Sequence, residues 1–271
     1  MGGLSLPTFE SEYQAILDKV DLETFDHCSN TFKLKGNQLI IDLKAAGLLA
    51  KALLGYVFHT NGSGDLSNMA CINWKNPSAN LLTKMGGANL SFANLAGFNS
   101  LTDDATAGYL KTGYMTGSIP SANDMTYAMK PFVNLAANGA SFGVRDASAT
   151  RHIYQPRTGA NGAEGRIASS TNNTLEGSVV DSTRRLVMKK TSSTNRAHSF
   201  NGGAFANLAV SGSAGTSLEI YLLAVNESGA LYTNVASPPS KHGLEYWWMF
   251  NGAFSDAEKN AWDAAIANYL S

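Results

Sequence analysis

The sequence predicts a mainly β protein: an antiparallel β-sandwich with helices before it and one helix after it. Three observations lead there. Gly supplies 26 of the 271 residues, and Asn, Ser and Thr recur between short apolar stretches, the texture of strands joined by turns. Candidate strands follow one another at spacings of roughly 8–12 residues, with turn residues between them, which is the pattern of a sandwich or barrel. No βαβ alternation occurs, so a parallel α/β fold is not expected.

Residues 7 to about 55 read as helical. Phe9, Tyr13, Ile16, Leu17 and Val20 form one apolar stripe at helical spacing. Pro7 stands at a permitted helix start and Thr8 is a candidate cap. A second helix is expected over about 37–46, with Leu39, Ile40, Leu43 and Ala46 on one face, Asn37 as N-cap and Gly47 closing the C-terminus. "LLAKAL" adds a further helical turn. Each amphipathic stripe must pack on something. The chain therefore divides into an N-terminal helical segment, 1–55, and a β-sandwich with a terminal helix, 56–271.

"GYVFHT" reads as the first strand and "NGSGDLSN" as a turn. Met125, Tyr127 and Met129 alternate with polar or small residues, as do Phe142 and Val144, so each stretch predicts a strand with one buried face. Further strands are expected at 151–155, 165–170, 176–180, 184–190, 196–200, 204–210, 217–225 and 229–235. "TGANGAEG" reads as a loop rather than a phosphate-binding turn.

Two strands have no wet face. In 218–225, Leu218, Ile220, Leu222 and Ala224 oppose Tyr221, Leu223 and Val225. In 245–250, Tyr246, Trp248 and Phe250 oppose Trp247 and Met249. A two-layer sandwich buries only one face of each sheet, so the other face needs a helical cover. Ser255 and Glu258 form a capping box, and Ala261, Trp262, Ala265, Ile266 and Tyr269 make the apolar stripe of a terminal helix that can supply it.

Lys and Arg total 20 against 21 Asp and Glu, a formal charge of −1. Nothing suggests a nucleic-acid or anionic-membrane partner. No apolar run reaches the roughly 18 residues of a membrane helix, and "MGGLSLPTFESEYQ" shows no secretion-signal pattern. Cys28 and Cys71 are expected to be reduced and buried.

The chemistry of catalysis is sparse. There is no G-x-S-x-G elbow, no H-E-x-x-H and no Cys/His cluster. Glycoside hydrolysis needs two carboxylates about the scissile bond, and the strand "SLEIYLLAVNE" places only Glu219 among apolar residues. No catalytic residue, cofactor or resident metal is assigned. Asp103 and Asp104 in "NSLTDDATAGYL" read as a charged turn, and otherwise as oxygen donors to calcium. Trp74 and Tyr114 read as core or interface aromatics, and otherwise as platforms for sugar rings.

"INWKNPSANLLTKMGGANLSF", "NSLTDDATAGYLKTGYMTG", "NGASFGVRD" and the closing "MFNGAFSDAEKNAWDAAIANYL" occur in this order. The order resembles that of concanavalin A-like, laminin-G-type jelly-roll domains of tailed-bacteriophage virion proteins. In "TDDATAGYL" the Asp-Gly turn of that pattern is replaced by Asp-Asp-Ala, which removes support for a ligand or metal role there. The resemblance implies a non-enzymatic virion structural protein, a tail fibre, appendage or capsid decoration. Its partners would be other virion proteins, further copies of itself, and a host-surface glycan. It would be assembled in the bacterial cytoplasm. The alternative is a carbohydrate-active depolymerase or glycan-binding module.

Overall fold

The structure is a computed structural model describing residues 8–20, 22–101, 107–134, 139–146, 151–158, 160, 162–169, 174–210, 217–232 and 243–271. The chain runs through α1 (Ser11–Leu17), α2 (Leu22–His27), α3 (Asn30–Ala45) and α4 (Leu48–Lys51) into β1 (Ala52–Val57) and α5 (Ser67–Ala70). Then follow β2 (Thr83–Met85), β3 (Leu90–Ala93), β4 (Gly97–Ser100), β5 (Tyr109–Met115), β6 (Met125–Pro131), β7 (Phe142–Arg145), β8 (Arg151–Gln155) and β9 (Ala163–Ser169). The remainder is β10 (Thr174–Glu176), β11 (Leu186–Lys190), β12 (Asn195–Phe200), β13 (Ala206–Ala209), β14 (Glu219–Leu222), β15 (Asn226–Glu227), β16 (Ala230–Leu231), β17 (Gly243–Asn251) and α6 (Asp256–Leu270).

Two sheets stack as the sequence predicts. The first has the order β13-β12-β11-β6-β17-β4-β3, with β1 also paired to β17. The second has the order β10-β9-β8-β7-β14-β5-β2, with β15 and β16 attached at β7. Pairing is antiparallel except for the short β15·β7 contact. Helices α1, α3 and α6 form a third layer on the outer face of the first sheet.

β17 links the three layers. Eight of its nine residues are buried. It pairs with β6 on one side and with β1 and β4 on the other. Trp247 and Met249 enter the core between the sheets, where Trp247 lies 5.7 Å from Tyr127 and 5.6 Å from Phe142. Tyr246, Trp248 and Phe250 face the helices, and Trp248 lies 5.7 Å from Trp262 of α6. The expected opposition of the two tryptophans is thus observed. At Gly55, the β1 partner of Trp248, a Cβ would overlap the Trp248 ring, so only glycine fits beside it.

The terminal helix forms as its sequence dictates. Ser255 Oγ accepts from Glu258 N at 3.2 Å and Glu258 Oε2 accepts from Ser255 N at 2.8 Å. Lys189 Nζ donates to Phe254 O at 2.7 Å, and Lys51 pairs with Glu258, so the helix start is tied to β11 and to α4.

Several boundaries differ from expectation. α3 starts at Asn30, not near 37; its N-cap is Ser29, whose side chain accepts from Phe32 N. Asn37 lies inside the helix and accepts from Glu10 N at 2.7 Å. Gly36 permits close approach of α1, since a Cβ there would overlap the Tyr13 ring. The N-cap of α1 is Glu10 rather than Thr8, and Pro7 lies outside the described residues. β1 begins at Ala52, inside the expected helical segment, because Ala52 and Leu54 pair with β17. The boundary at 55 therefore falls within a strand. β10 ends at Glu176, and Gly165 of the expected loop lies in β9. Leu223 has φ 64°, which ends the alternation of β14 and places Leu222 and Leu223 together in the inter-sheet core. Cys28 and Cys71 are buried free thiols.

Replacing Trp247 or Trp248 by Ala removes a fully buried ring and is expected to cost roughly 3–5 kcal/mol in urea denaturation. Trp248→Ala should also raise hydrogen exchange in α3 and α6 first. Ser255→Ala should cost about 1 kcal/mol by losing the cap.

Candidate functional site

The described surface is indented where the loop after β1 meets the β3–β4 turn. Asn94 builds this place. Its Nδ2 donates to Gly62 O at 3.2 Å and Gly64 O at 3.0 Å, and its Oδ1 accepts from Thr60 Oγ1 at 3.1 Å. Leu95 N adds a bond to Thr60 O at 2.6 Å, with Leu95 at φ 63°. Ser63 N bonds His27 O at 2.9 Å and so ties the loop to the helical layer. The turn-rich "NGSGD" becomes a fixed loop because each of these backbone groups has a partner.

The pocket so formed has a volume of about 440 Å³. Its floor is apolar: Phe98 is buried, Phe92 lies 4.9 Å from it, and Leu90 packs alongside. Its rim is polar, with Asp65, Lys84 and Asn94. Asp65 Oδ1 accepts from Ser67 N at 2.8 Å, which holds the exposed carboxyl below its usual range and keeps it ionised. Lys84 Nζ donates to Ser67 Oγ at 2.8 Å and to Asn68 Oδ1 at 3.2 Å. Lys84 also lines a neighbouring depression of about 320 Å³ with Lys19, Ile72 and Leu81, so the two meet along α5.

A further pocket of about 340 Å³ lies between α3, α6 and the same loop, lined by Phe32, Lys35, His59 and Tyr269 among others. Tyr269 Oη donates to His59 O at 2.7 Å. His59 Nδ1 lies 3.9 Å from Glu245 Oε2, too far for a hydrogen bond. Burial, with Lys130 and Lys35 nearby, outweighs that carboxylate and pushes the His59 ring down to about 4, so it is neutral near pH 7. Burial raises Glu245, which Lys130 Nζ contacts at 2.6 Å.

Asp65 is the one carboxylate side chain among the lining residues of these pockets. They therefore offer binding chemistry, a charged and amide rim over an aromatic floor, without the carboxylate pair that glycoside hydrolysis uses. Among the described residues no group of three or more His, Cys, Asp and Glu is placed to hold a metal.

Of the residues singled out from sequence, Trp74 and Tyr114 are described, and neither lines the rim pocket. Trp74 is core: its ring lies 5.6 Å from Tyr13, 6.5 Å from Phe32 and 6.0 Å from Tyr269, so it offers no face to a sugar. Tyr114 is half-buried in β5, and its Oη donates to Ser118 O at 3.1 Å within its own turn. It lines none of the pockets above. Asp103 and Asp104 lie outside the described residues. Asp65, Lys84, Phe92 and Asn94 were not singled out; the Gly-Asp turn was their only sequence signal.

No protein-family model matches this chain, and no curated protein sequence matches it. Solved structures do match in fold. The binding domain of Botulinum neurotoxin serotype D superposes with a TM-score of 0.53 at 9% identity, over 79% of this chain and 51% of that one. A mutant of Trypanosoma rangeli sialidase displaying trans-sialidase activity superposes with a TM-score of 0.50 at 9% identity, over 86% of this chain and 39% of that one. The chain thus spans about half or less of each. The class so defined is a mainly β, jelly-roll-like sandwich of two antiparallel sheets.

Because the His59 pKa is lower in the folded than in the unfolded chain, its neutral form contributes stability above about pH 6.5 that is lost as pH falls through about 4. His152, held near 3 by burial, extends that loss to lower pH. Thermal melts of His59→Gln against pH should show a flatter decline than wild type between about 6.5 and 4.

Proposed function

We propose that this protein is a non-catalytic glycan-binding module serving as a structural component of a tailed-bacteriophage virion, in a tail fibre, appendage or capsid decoration. The observation that carries the binding part is the pocket at Asp65, Lys84, Phe92 and Asn94. A sugar presents an apolar C–H face and a rim of hydroxyls. The half-buried ring of Phe92, backed by Phe98, matches the first, while the ionised Asp65 and the Lys84 ammonium match the second. The likeness in fold to a toxin binding domain agrees with a binding role. The virion part is supported by the ordered resemblance of four segments to phage jelly-roll proteins. Other virion proteins and further copies of this chain would be its neighbours, and a host-surface glycan its ligand. The helical layer, fused to the first sheet through Trp248 and Trp262, would brace the sandwich within the particle.

A glycan array followed by titration calorimetry tests the binding part. Asp65→Ala and Lys84→Ala should each weaken the selected glycan at least tenfold, since each removes a charge-assisted hydrogen bond worth roughly 1.5–3 kcal/mol, with the melting temperature little changed. Absence of any glycan binding, or release of reducing ends from host polysaccharide, would overturn the non-catalytic binding role. A particle reconstruction that lacks this chain would overturn the virion role.

A further inference from the structure

A second feature lies inside the sandwich, on strands remote in sequence from the rim pocket. In the β11·β12 pairing Lys190 sits directly opposite Arg196. Both are buried, and Arg196 is only 1% exposed. Lys190 Nζ has a partner, donating to Ala168 O at 2.9 Å. Arg196 has none: among the described residues its Nε, Nη1 and Nη2 all lack a hydrogen-bond acceptor. Arg166 of β9 is buried nearby and pairs with Glu164. His152 of β8 is fully buried. Its Nδ1 is 2.9 Å from Tyr127 Oη, and its Nε2 is unpartnered among the described residues.

Arg196, Lys190 and Arg166 are cations, and Glu164, which Arg166 engages, is a carboxylate that acts on Arg196. Among the described residues none of the Arg196 nitrogens bonds it. The mutual strain shows in their acidities. Burial and Arg166 push Arg196 down to about 10, and burial and Arg196 push Lys190 down to about 8, yet both still carry charge near pH 7. An isolated buried charge is among the most costly features a fold can hold. A guanidinium in particular presents several donors in a planar fork that matches an oxyanion.

We propose that Arg196 anchors an internal binding site for a small oxyanion, with Lys190 and Arg166 completing a cationic end of the inter-sheet space. The ligand class is a mineral oxyanion such as sulfate or phosphate, or the carboxylate of a small organic acid. Bidentate contact with Arg196 would satisfy its unpaired donors. The site is separate from the rim pocket, so its failure leaves the glycan-binding reading intact.

The test is a thermal melt of the full chain titrated with sodium sulfate, sodium phosphate or sodium glucuronate, with sodium chloride holding ionic strength constant. The wild type should show a saturable rise, roughly 5 °C at high occupancy. Sulfate or phosphate acting at lower concentration would mark a mineral ligand, and glucuronate a carboxylate one. Arg196→Met keeps an apolar stem in the core. It should melt at or above the anion-free wild type and lose the saturable rise. Arg196→Lys, which keeps the charge and loses the fork, should need at least tenfold more anion for half-saturation; this arm decides the matter should the Met variant not fold. No saturable rise in wild type, or the same rise in wild type and variants, overturns the proposal.

Discussion

Burial of both faces of one strand governs this molecule. β17 carries Tyr246, Trp247, Trp248, Met249 and Phe250 in succession, all fully buried or nearly so. Apolar side chains on a strand alternate between faces, so such a run needs cover on two sides. The second sheet covers Trp247 and Met249, and the helical layer covers Tyr246, Trp248 and Phe250. The three-layer architecture follows from that requirement. The rings also bring a penalty: among the described residues, the indole nitrogens of Trp74, Trp247, Trp248 and Trp262 have no hydrogen-bond acceptor. Their packing area and ring–ring contacts must outweigh that loss.

The solvent-facing chemistry of the rim pocket lies at the loop edge, outside the aromatic packing. The same hydrogen bonds that fasten the 60–66 loop to β3 and β4 also set the pocket rim. Asn94 is engaged by two backbone carbonyls and the Thr60 hydroxyl, which makes it a positioning residue, while Asp65 and Lys84 remain exposed at the opening. Rigid scaffold and polar edge are a division common to binding proteins.

Much of the fold was legible and little of the site. Strands at 125–131, 142–145, 151–155, 186–190 and 195–200 lie close to where alternation places them. The capping box of α6 needed only Ser255 and Glu258, because a cap is a local bond between residues three apart. The stretch 83–115 was harder, since β2, β3 and β4 are three or four residues long and hold too few residues to show a period. Trp74 illustrates why sites are read poorly. Its sequence neighbours are polar, and only the arrival of Tyr13, Phe32 and Tyr269 from the helices makes it core.

By itself the sequence determined the period of the longer strands, the capping box of α6, the two-sided character of β17 and hence the need for a helical cover. These are properties of residues within a few positions of one another. Tertiary structure decided what long-range contact alone can decide. It drew Ala52 and Leu54 out of a helical context into β1 by offering β17 as partner. It brought Asp65, Lys84 and Phe92 to one pocket and, among the described residues, left the guanidinium of Arg196 without a hydrogen-bond acceptor. The pocket joins Asp65 to residues 19 and 27 positions further on, and β1 joins a strand near the C-terminus, so no local pattern records either.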